Sequence, residues 1–212
     1  MPESPHIDPQ APETPPPPPP PPPGIMMPWE VPGAGPKAFF ATMYGIMAKP
    51  RWALSAMPAA SWPRWVGFAV GMWLLVFFAR YLFTIAWSVE SSGGMSVLLF
   101  GILGMLIQAA IFLPIYSGAV HLTLRVLGKG RPSPPFALVL RLVCYSQVTT
   151  AALLLPMVGI FVHLLWNIYV LAIALSVGLG QDKRNAILAV VLPMIGFFLL
   201  GVMLAGLGMA GV

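Results

Sequence analysis

The residues able to do chemistry in this chain are few, and most of them fall in one stretch, RLVCYSQVTTAALLLPMVGIFVHLLWN, residues 141–167. Tyr145, Ser146, Gln147, Thr149 and Thr150 come almost in succession, and His163 and Asn167 follow at a spacing of four, which puts them on one helical face. Arg80 and Gln108 are further polar side chains inside apolar segments. A set of amide, hydroxyl, imidazole and guanidinium groups suits hydrogen bonding between helices, or a path for a proton or solute through a membrane. It does not suit nucleophilic or metal catalysis. No Ser–His pairing is fixed by the sequence, no phosphate-binding loop, dinucleotide fingerprint or HExxH run is present, and three scattered histidines do not make a metal centre. The expectation is a protein that is not an enzyme, with no cofactor, metal or catalytic residue.

The elements that must position these groups follow from composition. Of 212 residues, 58% are hydrophobic and 8% charged, far below the charged share of about 25% in soluble domains. The mean hydropathy of +0.85 agrees. The solvent for most of the chain is expected to be a lipid bilayer. The eleven Lys and Arg give a net charge of +5, but they form no basic run and sit at the ends of apolar stretches, so nucleic-acid binding is not expected. Cys144, the single cysteine, lies in an apolar segment and reads as a small buried hydrophobe. No cleavable signal peptide is seen ahead of the first long apolar run near Trp65.

Three regions are expected. Residues 1–36 read as a disordered, Pro-rich cytosolic tail whose nine consecutive prolines begin at Pro15 and end at Pro23. Such a run forms a polyproline II rod about 28 Å long, which serves as a soluble tether or docks a protein partner in an aromatic groove. Residues 37–64 read as an interfacial amphipathic segment: Phe39, Met43, Ile46 and Met47 recur at helical spacing, Trp52 and Trp62 suit the headgroup level, and Pro50, Pro58 and Pro63 stop it from spanning. Residues 65–212 read as an all-α bundle of five transmembrane helices at about 66–88, 95–126, 136–155, 158–179 and 186–210. Pro156 marks a tight hairpin between the third and fourth, while Pro114 and Pro193 are expected to bend the second and fifth. Bases recur on every second connection, which places the N-terminus in the cytosol and the C-terminus outside.

Arg80 stands out because a central arginine costs about 2.5–3.5 kcal/mol to insert. By depth it is expected to snorkel outward, with Glu90 within reach if the chain turns, or to join Gln108, Tyr145, Ser146, Gln147, Thr149, Thr150, His163 and Asn167 in one polar cluster. Gly67 with Gly71, and Gly201 with Ala205, have the small-xxx-small spacing of packed transmembrane helices, and homo-oligomers are one expected use of such faces.

The segments IMAKPRWALSAMP, GKGRPSPPFALVLRLVCYSQVTTAALLLPMVGIFVHLLWNIYVLAIALSVGL and DKRNAILAVVLP together resemble the Yip1 domain family. A Pro-broken aromatic–basic stretch, a basic Gly/Pro loop, an aromatic helix entry, a Tyr-Ser pair, a Pro–Gly hairpin and a late Ala-rich helix occur in that order over about three quarters of the chain. The resemblance implies a five-helix integral membrane protein acting as a membrane-organising or trafficking-type scaffold that binds partner proteins. The compact loops point to the bacterial inner membrane. A small transporter or channel using the polar cluster is the alternative.

Overall fold

The computed structural model describes residues 27–55, 62–87, 94–128 and 133–210. The proline run, Pro58, Glu90 and the side chain of Gln108 lie outside the described residues, and so do the expectations that rest on them. What is described is all-helical, with no strand. A backbone in lipid must satisfy its own polar groups, and helices do so within one segment.

A single 3-10 turn, Pro28–Glu30, precedes helices α1 (Pro36–Ala48) and α2 (Pro50–Ser55). The long helices α3 (Trp62–Trp87) and α4 (Gly94–Leu127) follow. Next come α5 (Phe136–Ser146), which runs into a 3-10 segment Gln147–Leu154, then α6 (Gly159–Gly178) and α7 (Lys183–Ala210). Five segments are long and apolar enough to cross a membrane: Trp62–Ile85, Leu98–Leu127, Phe136–Leu154, Gly159–Gly178 and Lys183–Ala205. They match the five expected spans to within a few residues. Pro114 and Pro193 sit inside uninterrupted helices.

The third of these is the core of the bundle. Its most apolar stretch is 67% buried, against 12–33% for the other four. Its change of winding has a local cause. The hydroxyls of Ser146, Thr149 and Thr150 donate to the carbonyls three residues back, at 2.8, 2.8 and 2.7 Å. Side chains that bond the preceding turn compete with the α-helical ladder, and here the chain tightens to 3-10 where they cluster. The tighter winding also lengthens the segment. Eleven residues at 1.5 Å and eight at 2.0 Å give about 32 Å, enough to cross a hydrocarbon core of about 30 Å.

The hairpin to α6 is as tight as the sequence required. Met157 takes φ +61°, Val158 N–H donates to Pro156 O at 2.7 Å, and α6 starts at once. Glycine is needed at 159, since a Cβ there would lie 2.5 Å from the Ala152 carbonyl oxygen.

One boundary differs from expectation. Residues 27–36 belong to the folded unit and not to a tail. Trp29 N–H donates to Thr42 Oγ1 at 3.0 Å, and its indole N–H donates to the Arg64 carbonyl at 2.7 Å. The Gly67/Gly71 face accepts this segment and α1, not another span: a Cβ on Gly71 would lie 2.9 Å from the Phe39 ring, and Gly67 faces the Trp29 ring. By contrast, Gly201 faces open space.

Candidate functional site

Two polar assemblies are built on the third span. The first is not expected from the sequence. Arg141 and Tyr145 lie four apart, one turn along α5, and so share a face. Both reach Glu30, which the Pro28–Glu30 turn lowers onto that face. Arg141 Nε donates to Glu30 Oε1 at 3.0 Å and Nη2 donates to Oε2 at 2.6 Å. Tyr145 Oη donates to Oε1 at 2.7 Å. All three are buried, with Glu30 at 1%, Arg141 at 3% and Tyr145 at 0% exposure. A roof of rings covers them: Tyr145 packs on Phe68 with centroids 5.1 Å apart, Phe68 on Phe39 at 5.0 Å, and Phe39 on Trp29 at 5.5 Å. A charge so deep in apolar surroundings is tolerated only when paired and hydrogen-bonded, and this bidentate pair with a third donor meets that condition.

Arg141, not Arg80, is therefore the buried arginine among the described residues. Its signal in the sequence is an arginine five residues into a span, a position that demands a partner. Glu30 is hidden by its setting between Pro28 and Pro32, next to a proline-rich region.

The second assembly is the expected polar band, and the structure draws most of it together. Gln147 accepts from the Trp73 indole N–H at 3.0 Å and donates to the Val143 carbonyl at 3.2 Å. Asn167 Nδ2 donates to Thr149 Oγ1 at 3.1 Å and approaches Ser146 Oγ at 3.4 Å. Ser146, Gln147, Thr149, Thr150 and Asn167 are all buried. Tyr145 leaves the band for Glu30. Arg80 is exposed, but it lines a groove of about 540 Å³ with Gln147, Thr150 and His163.

A smaller cavity of about 180 Å³ adjoins that groove through the shared residues Phe112, Gln147 and His163, and Asn167 and Tyr116 complete its wall. Nothing in the sequence marks Tyr116 out. Its Oη and His163 Nδ1 are buried with no hydrogen-bond partner among the described residues. The cavity is mostly apolar, but Tyr116, Gln147, His163 and Asn167 bring polar groups to its wall and it is roomy enough to admit water. Among the described residues, no group of three or more His, Cys, Asp or Glu gathers to hold a metal.

No family model, curated protein or solved structure matches this chain.

Proposed function

We propose that this chain is a non-enzymatic, Yip1-type membrane scaffold: a five-helix bundle in a bacterial inner membrane that organises the bilayer and binds protein partners. In this reading the N-terminus is cytosolic, the C-terminus lies outside, and α1 and α2 rest at the headgroup level. The observation that carries it is the use made of the polar band. Its hydroxyl and amide groups are bonded to their own helix, to Trp73 or to Asn167, so they join α3, the third span and α6 and leave little to conduct a solute. Interhelix hydrogen bonds of this kind contribute about 0.6 kcal/mol each on average.

The proline run is the proposed contact for protein partners, either as a docking segment or as a tether. Deleting residues 1–26 removes it while keeping Glu30. Loss of co-purifying partners on that deletion supports docking; an unchanged set assigns the run to a tether.

A transport role is the second reading, favoured by the groove at Arg80 and the unpartnered Tyr116 and His163 atoms beside it. Solute or proton flux in proteoliposomes decides between the two. Flux that falls on Asn167→Leu or His163→Leu would displace the scaffold reading, and its absence would remove the transport reading.

A further inference from the structure

We propose that a groove between α6 and α7 is a binding site for one anionic glycerophospholipid. The groove has a volume of about 480 Å³ and carries Arg51 and Lys183 at one end. Its remaining walls are mostly apolar, running along α6 from Ser176 back to Leu165. Those twelve residues of helix cover about 18 Å. The cationic end is where α6 stops and α7 begins, at Gly180 with φ +61°. Charge at the end of a membrane span and an apolar trough leading into the span are the two halves of a phospholipid.

The two cations come from distant parts of the chain. Lys183 opens α7, whereas Arg51 is brought by α2, which packs on α6 so closely that a Cβ on Gly178 would lie 3.5 Å from the Leu54 carbonyl oxygen. Both side chains are exposed, and neither is paired with a carboxylate among the described residues. The α7 N-terminus is not the phosphate-binding element, since Asp182 already accepts the Arg184 N–H there at 3.2 Å. The two side-chain cations, with the Ser176 hydroxyl beside them, supply the recognition. The trough lies on the outer face of the bundle, where Leu165 (71%) and Ile187 (47%) are exposed. An acyl chain entering from the bilayer reaches it without any helix moving. Basic pockets between transmembrane helices take anionic lipid headgroups on these grounds.

The test is native mass spectrometry of the full chain released from vesicles of phosphatidylglycerol and phosphatidylcholine in equal amounts. One retained phosphatidylglycerol, in preference to phosphatidylcholine, is the expected result. Each cation near an anionic headgroup contributes about five-fold, so Arg51→Gln with Lys183→Gln is expected to weaken retention about thirty-fold. The charge-matched pair Lys37→Gln with Arg125→Gln, which lies outside the groove, is expected to retain the lipid. Ile187→Trp, which fills the groove and keeps both charges, is expected to lose it. Equal retention of the two lipids would overturn the proposal, as would equal loss in both charge pairs or retention by Ile187→Trp. Displacement by soluble glycerol phosphate as effective as by the lipid would assign the site to free phosphate and overturn the lipid assignment.

Discussion

Removing either partner of the Glu30–Arg141 pair takes a bidentate contact from a charge buried in the core, and the cost can be worked from the geometry. Glu30→Leu takes the carboxylate away from a buried guanidinium, and Arg141→Met leaves a buried carboxylate whose remaining hydrogen-bond donor among the described side chains is Tyr145 Oη. Breaking a buried pair from one side costs about 3–5 kcal/mol, so two independent losses would add to about 6–10 kcal/mol. The double variant is expected to lose far less, because an apolar pair of similar volume is close to neutral. What remains is the Tyr145 hydroxyl, left without its acceptor at about 1–3 kcal/mol, and adding Tyr145→Phe should recover most of that. The coupling energy between positions 30 and 141 is thus at least about 3 kcal/mol. Equilibrium unfolding in mixed SDS–detergent micelles, followed by tryptophan fluorescence, measures each variant. Single variants within about 1 kcal/mol of the parent, or a double variant as unstable as the sum of the singles, would refute the assignment of a buried, mutually dependent pair.

Three further outcomes are expected. Deleting residues 1–26 should leave the unfolding midpoint unchanged, while deleting residues 1–30 should cost more than Glu30→Leu, because the two hydrogen bonds of Trp29 and its packing on Phe39 go as well; the same micelle titration compares them. Gly159→Ala sets a methyl against the Ala152 backbone at 2.5 Å and should destabilise by about 1–3 kcal/mol, whereas Gly196→Ala, which meets nothing within 4 Å, should not. Trp73→Phe, which removes the donor to Gln147, and Asn167→Leu should each cost about 0.6 kcal/mol and not more than about 1.7, measured as the shift in unfolding free energy.

Much of the polar band is legible in the sequence. Asn167 lies on the buried side of α6, and its amide meets the hydroxyls of Ser146 and Thr149, as their depths along the two spans imply. The winding of the third span is not legible there, because eight residues are too few to tell a repeat of 3.0 residues per turn from one of 3.6. Tyr145 groups with its neighbours along the chain, yet it lies a turn above Arg141 on the face that Glu30 approaches. Tyr116 carries no signal because an aromatic residue in a span reads as packing, and only the missing partner for its hydroxyl marks it out.

Taken alone, the sequence determined the five apolar segments, their lengths and the hairpin at Pro156. Those depend on local quantities: the length of apolar runs, the missing donor of proline, and the need for each backbone group in lipid to bond within its own helix. Only the tertiary structure decided which polar groups meet. Glu30 and Arg141 are 111 residues apart. Nothing local to either position specifies the other, since ion pairing depends on distance in space, and that distance exists only once α1, α3 and α5 have packed around Phe39 and Phe68.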